Sequence, residues 1–342
     1  MNKEILSMEE LKRIIEESYD IGHVKEINPI LEGASSECFH IITEEAQYLF
    51  KDIEMIFMNH PDKEPLVNKV LSERGVPVSK FHKTKEDKYL LEWFGHTFHL
   101  QDFINGKIFE PNTAPEWFME ESAFMLGKIH KALEELPLLS KGIDGDFFKF
   151  VNTESARISY EKSLAMALKY NEKQNISDLQ FRIQLLDKIK HIEFEMDKFT
   201  YKNTHGDYFV SQILCGENSI NAVIDFTSAC VHPACWELIR SYSYADPKCI
   251  DGSIDYYNLK KYIEDYMKYS ELNKYDIKMM AYLYYYQLAV CDYFSQYYES
   301  NNSNKKVLSH YAHWSTMLCK WFEENIEELS NKLVTDFCYL KL

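Results

Sequence analysis

From about residue 114 to the end, the chain reads as helix after helix, with one interruption. Apolar residues recur at helical spacing over 114–136, 154–170, 178–198, 256–268, 274–299 and 305–333. The exception is residues 204–226, an extended interlude within the segment 204–229, THGDYFVSQILCGENSINAVIDFTSA. Its first carboxylate, Asp207, sits in a His-Gly-Asp turn. Its second, Asp225, closes the apolar run Ala222-Val223-Ile224. Acids beside apolar runs are costly unless a cation, a proton or a hydrogen bond compensates them. A metal-dependent reaction would supply such a cation. A fold built on this chain must therefore place a short extended unit inside a helical body and use two acids there.

The first hundred residues have a different texture. Val24–Leu31, Cys38–Thr43 and Gln47–Asp52 alternate as short strands, separated by Gly33-Ala-Ser-Ser36 and by Glu44-Glu45. Ser7-Met-Glu-Glu10 is a capping-box pattern and predicts a helix start. Glu64–Arg74 predicts another helix, with Leu66, Val67, Val70 and Leu71 on one face and Gly75-Val-Pro77 as its stop. Lys88–Trp93 and Thr97–Phe103 predict a hairpin turning at Phe94-Gly95-His96. Asn171–Ser177 reads as a surface loop, and no internal repeat is present. The expected architecture is an α+β fold: a small antiparallel sheet with one helix over 1–104, then a larger, mostly helical lobe over 105–342.

Bulk properties exclude some classes. The length of 342 residues exceeds a usual single core. The net charge of −16 argues against non-specific nucleic-acid binding, which needs a basic face. It is compatible with a cationic small substrate, although solubility alone accounts for such a charge. No apolar run is long enough to span a membrane, and the charged N-terminus lacks the apolar core of a signal peptide. The eight cysteines form no CxxC pair. Cys230, His232 and Cys235 lack a second ligand pair at zinc-type spacing, so a metal module there is a remote reading. Reduced thiols and a cytoplasmic location are expected.

Taken together, the motifs resemble the aminoglycoside phosphotransferase and choline kinase-like family. His205-Gly206-Asp207 is followed five residues on by Gln212, then by Val223-Ile224-Asp225-Phe226. Lys51 ends a strand after the Gly33-Ala-Ser-Ser36 turn, Glu64 lies eleven residues before Gly75, and Pro233-Ala-Cys-Trp-Glu237-Leu follows the second acid. The likeness runs from about residue 24 to 300. It implies a two-lobed protein-kinase-like fold with nucleotide between the lobes and the acceptor in the helical lobe. It also implies an antibiotic or metabolite kinase using ATP or GTP with Mg2+.

The resemblance assigns roles residue by residue. Asp207 would orient the substrate hydroxyl or accept its proton; alone, it could equally be a loop acid capping backbone amides. Asp225 would bind Mg2+. Lys51 would contact the α- and β-phosphates and pair with Glu64. Gly33 and the amides through Ser35 and Ser36 would cover the phosphates, or form an ordinary hairpin turn. Adenine would bond to backbone near Asp102 and Ile104. His205 would be a structural part of the catalytic loop. Glu237 would order that loop or face a cationic acceptor. The tyrosines at 282, 284, 285, 286, 293, 297 and 298 are expected mostly in the core.

Two departures stand out. Gln212 occupies the place of the family's usual Asn, a second metal ligand, and reaches one methylene further. Tyr208-Phe209-Val210-Ser211 replaces the commoner Leu-His-Pro-Gly and makes the loop bulkier. The leading expectation is a small-molecule kinase with an aminoglycoside-, choline- or homoserine-like acceptor. The alternative is a non-catalytic, pseudokinase or spore-coat-like binding protein on the same fold.

Overall fold

The structure is a computed structural model and describes residues 6–30, 37–53, 63–142, 152–299 and 305–341. By internal contacts the chain forms two compact units: Met1–Ile108 with Gln212–Ala229, and Phe109–Ser211 with Cys230–Leu342.

The first unit is built on an antiparallel sheet. Its strands are β1 (Val24–Ile30), β2 (Cys38–Thr43), β3 (Gln47–Asp52), β4 (Phe81–His82), β5 (Leu91–Trp93) and β6 (His96–Asp102). They run in the order β1-β2-β3-β6-β4, with β5 also on β6. The β5–β6 turn uses Phe94 at φ 41° and Gly95 at φ 84°, the left-handed pair that a tight hairpin requires. Helix α1 (Met8–Ser18) starts with the expected capping box. Ser7 N–H donates to Glu10 Oε2 at 2.9 Å, and Glu10 N–H donates to Ser7 Oγ at 3.3 Å. Its Leu11, Ile14 and Ile15 pack on Val24, Ile41, Phe50 and Leu100 of the sheet. Helix α2 (Lys63–Glu73) buries Val67 and Leu71 and stops at Gly75, at φ 74°.

The same unit holds a short hairpin from the C-terminal half of the sequence, β8 (Ile213–Cys215) with β9 (Ile220–Val223). Val223 N–H donates to the Pro77 carbonyl at 2.9 Å, and Lys107 and Cys215 exchange backbone bonds of 2.9 and 2.8 Å. These bonds pair a polar extended backbone that would otherwise lack a ladder.

The second unit contains the strands β7 (Tyr201–Thr204) and β10 (Cys230–Pro233), paired antiparallel. Its helices are α3 (Glu116–Ala132), α4 (Thr153–Tyr170), α5 (Lys173–Ile189), α6 (Ala234–Ala245), α7 (Tyr256–Tyr266), α8 (Lys274–Ala289), α9 (Tyr293–Glu299) and α10 (Lys305–Asp336). The loop expected over Asn171–Ser177 is only a two-residue break. Asn171 ends α4 in the left-handed conformation, φ 56°, and α5 begins at Lys173. The expected helix over 274–299 is likewise two helices, α8 and α9. Arg182 on α5 is fully buried and ties α5 to α10, with Nε donating to Thr316 Oγ1 at 3.0 Å and Nη2 to Ser315 Oγ at 2.6 Å. Of the seven tyrosines expected mostly in the core, Tyr284 and Tyr285 are buried, whereas Tyr282, Tyr286, Tyr293, Tyr297 and Tyr298 are half-buried. No helix among the described residues is long and apolar enough to cross a membrane.

Candidate active site

In the first unit, Lys51 sits near the end of β3, opposite Cys38 of β2 and His99 of β6. Its side chain is 10% exposed, and Nζ donates to Asp225 Oδ1 at 3.0 Å. A second donor, Thr227 Oγ1, reaches the same oxygen at 2.7 Å. Asp225 itself is left-handed at φ 63°, a conformation that costs a non-glycine residue of order 1 kcal/mol or more. That turn ends β9 and starts a single 3-10 turn at Phe226. Burial opposes the charge on Lys51, but the carboxylates of Glu64 and Asp225 outweigh it and raise the lysine above its ordinary range.

Glu64 on α2 is 1% exposed. Its Oε1 accepts the Phe226 N–H at 3.1 Å, so α2 is fastened to the turn that carries Asp225. The expected Lys51–Glu64 ion pair is not formed: among the described residues Lys51 pairs within 4 Å only with Asp225. Glu64 Oε2 is buried without a hydrogen-bond partner, 3.9 Å from Nδ1 of His99. His99 is fully buried, and burial followed by the Lys51 charge pushes its pKa down to about 3. The site therefore holds one cation, Lys51, between two acids that share it unequally.

Burial pushes the Glu64 carboxyl up to about 7 from 4.5, against the pull of Lys51. Between these values the folded chain keeps a proton that the unfolded chain has lost, so this group makes stability fall as pH rises across that window. Glu64→Gln removes the titration. The difference in melting temperature, variant minus wild type, is expected to grow from pH 4.5 to pH 7 and then level off. Melts of both proteins across pH 4–8 check this; a constant difference would show that Glu64 titrates normally.

Gln212 lies where a 3-10 turn leads into β8, and its carbonyl accepts the Ile224 N–H at 3.0 Å. That bond sets Gln212 beside the residue preceding Asp225. Asp102 ends β6 and pairs with His82 Nε2 at 2.6 Å. Ile104 follows outside the ladder. Gly33, Ser35 and Ser36 lie outside the described residues.

In the second unit, the His-Gly-Asp turn follows β7. Gly206 takes φ 83°, which the turn requires and a side chain would strain. Asp207 N–H donates to His205 Nδ1 at 3.3 Å. His205 is fully buried, and its own N–H donates to Glu237 Oε2 at 3.2 Å. Glu237, at the start of α6, is also fully buried. It takes Tyr208 N–H on Oε1 at 3.4 Å and meets His130 Nε2 of α3 at 2.8 Å. Burial works against its charge, but the His130 hydrogen bond and the nearby His205 and His232 hold its pKa down at about 2. Glu237 is thus spent on ordering the loop. Tyr208 explains one departure in that loop: its hydroxyl donates to the Ser122 carbonyl of α3 at 3.0 Å and pins the loop to the helix.

Asp207 carries a partner that the sequence did not reveal. Arg240 Nη2 of α6 donates to Asp207 Oδ1 at 2.7 Å. Thr227, His99 and His130 were also missed: His99 and His130 meet Glu64 and Glu237 from far along the chain, whereas Thr227 lies two positions from Asp225, and its nearby hydroxyl was the one signal available. Cys230 Sγ and His232 Nε2 lie 3.3 Å apart, but no group of three His, Cys, Asp or Glu side chains suited to a metal occurs among the described residues.

Residues 26–272 match the family model described as the phosphotransferase enzyme family, APH. A homoserine kinase of Zymomonas mobilis is 25% identical over 246 residues, 70% of each chain. Among solved structures, a spectinomycin phosphotransferase in complex with ADP and spectinomycin superposes with a TM-score of 0.63 at 17% identity, covering 96% of this chain and 99% of that one. A choline kinase from Cryptosporidium parvum gives 0.52 at 14% identity, covering 91% and 90%. At such identities the structural likeness speaks for the fold, which is the protein-kinase-like one. The chain belongs to the phosphotransferase enzyme family. It is a phosphotransferase with an alcohol group as acceptor.

Proposed function

We propose that the protein transfers the γ-phosphate of ATP or GTP to a hydroxyl of a small metabolite or antibiotic, with an aminoglycoside-, choline- or homoserine-like acceptor. The observation that carries this reading is Lys51: a strand lysine drawn inward, 10% exposed, and bonded at 3.0 Å to the acid that follows β9. A surface lysine would have no reason to accept that desolvation. In the proposed reaction the acceptor oxygen forms a bond to the γ-phosphorus. The bond from that phosphorus to its bridging oxygen breaks, and the electron pair leaves with the nucleoside diphosphate. Asp207 orients the hydroxyl and takes its proton. Lys51 contacts the α- and β-phosphates, Glu64 holds the turn that carries Asp225, and backbone near Asp102 and Ile104 takes the base.

Asp225 and Gln212 offer hard oxygen donors, one carboxylate and one amide, on neighbouring positions of the β8–β9 segment. That small donor set suits Mg2+, which takes one or two protein ligands and completes its shell with phosphates and water. Bound there, Mg2+ would neutralise phosphate charge. Eight cysteines with no CxxC pair in the sequence fit a reducing, cytoplasmic setting.

This reading predicts a metal-dependent nucleotide complex. ATP should raise the melting temperature when Mg2+ is present and little without it, through mass-action linkage. Asp225→Ala should erase the Mg2+-dependent part. A shift in wild type that is equal with Mg2+ and with chelator would remove Asp225 from metal binding.

A further inference from the structure

Trp236, Arg240 and Tyr244 are spaced four apart on α6 and therefore share one helix face. The Arg240 guanidinium lies 5.6 Å from the Trp236 ring and 5.3 Å from the Tyr244 ring. Phe209, two residues past Asp207, adds a third ring at 4.9 Å. All three distances fall within the range of favourable cation–π contact. The cage leaves 14% of the side chain exposed, and the Nη1 atom is buried with no hydrogen-bond partner. Nη2 makes the one hydrogen bond of this side chain among the described residues, to Asp207 Oδ1 at 2.7 Å.

An unpaired buried donor is a standing cost, and natural structures keep few of them. Here the side chain is held by rings that cannot compete for its hydrogen bond, so its directional interaction goes to one oxygen of Asp207. A charge-assisted bond of this length fixes the carboxylate in one orientation. It also offsets the charge of Asp207, so this acid alone gives no ground for requiring a cationic acceptor.

We propose that Arg240, clamped by Trp236, Tyr244 and Phe209, is a positioning residue that sets Asp207 in the orientation needed to meet the acceptor hydroxyl. The proposal rests on the role given to Asp207 above. Arg240 does not itself touch the reacting atoms. Its effect passes through Asp207, which separates it from a residue that merely supports the fold.

The test is a double-substitution cycle. Wild type, Arg240→Gln, Arg240→Lys, Asp207→Asn and the double variant Asp207→Asn/Arg240→Gln are compared. Turnover is measured with the acceptor that gives most product in a hydroxyl-compound panel, and with water as acceptor in basal ATP hydrolysis. Arg240→Gln should lower kcat about 10- to 100-fold while KM for ATP stays within about threefold. Arg240→Lys, which keeps the charge but not the fork, should recover part of that loss. In the Asp207→Asn background, Arg240→Gln should cost no more than about twofold, because the group it positions is already disabled. Circular dichroism and melting curves report whether each variant is folded. Equal losses from Arg240→Gln in both backgrounds, or wild-type kcat in the folded single variant, would overturn the proposal. Should Asp207→Asn itself keep wild-type turnover, the reading of Asp207 fails, and this proposal with it. A severe Asp207→Asn defect beside an innocuous Arg240→Gln would remove only the positioning role.

Discussion

Replacing Asp207 by Asn is expected to lower kcat about 10²- to 10⁴-fold, the usual contribution of a positioned proton acceptor. The substitution keeps the side chain's size and one carbonyl oxygen. It exchanges the other oxygen for an amide that donates, and it removes the charge that faces Arg240 at 2.7 Å. Nucleotide affinity should stay within about threefold, because the phosphate-binding role is given to Lys51 and the metal to Asp225. Single-turnover measurements at saturating ATP separate the chemical step from binding. Near wild-type turnover in Asp207→Asn would take this residue out of the mechanism, whatever its place in the turn.

The second large effect is expected on stability. Glu237 is fully buried and gathers three partners: His130 Nε2 at 2.8 Å and the N–H groups of His205 and Tyr208 at 3.2 and 3.4 Å. Glu237→Ala leaves two buried backbone donors and a buried histidine without their acceptor. Breaking such a cluster from one side costs about 3–5 kcal/mol. Glu237→Gln keeps an oxygen and should cost less. Its sign with pH is also set. The folded pKa, held down at about 2, lies below the ordinary 4.5, so the carboxylate's contribution is complete above 4.5 and lost as pH falls toward 2. The stability gap between wild type and Glu237→Gln should therefore close in acid. Urea melts at pH 7 and pH 3 measure it, and a gap that widened at pH 3 would contradict the assignment of Glu237 as a charged anchor of the loop.

Much of the fold was legible because the strongest signals are local. The capping box of Ser7 and Glu10, the hairpin at Phe94-Gly95 and the stop at Gly75 each depend on a few adjacent residues. The helical boundaries were less legible where one residue decides them. Asn171 ends α4 by turning left-handed, and a polar run that looked like a loop resumes helix two residues later. The acids were recognisable as a set from their turns and apolar flanks. Their partners were not. Lys51 meets Asp225 across 174 positions, Phe226 meets Glu64 across 162, and Arg240 meets Asp207 across 33. No periodicity or motif encodes those distances, which follow from how strands and helices pack. Lys51 shows the consequence: the reading of the motifs pairs it with Glu64, while the packed chain gives its hydrogen bond to Asp225. One clue to Arg240 was available, the four-residue spacing of Trp236, Arg240 and Tyr244 on a helix that follows the second acid.

The proposed function stands on phosphate moving from nucleotide to a hydroxyl on a small molecule. Phosphorus NMR on the wild-type protein with ATP, Mg2+ and a panel of aminoglycosides, choline, homoserine, sugars and nucleosides tests it directly. The expected result is a new phosphomonoester resonance with one acceptor class, growing in step with ADP and absent with Asp207→Asn. ADP appearing only with inorganic phosphate, or bound nucleotide that is never consumed with any acceptor, would contradict it.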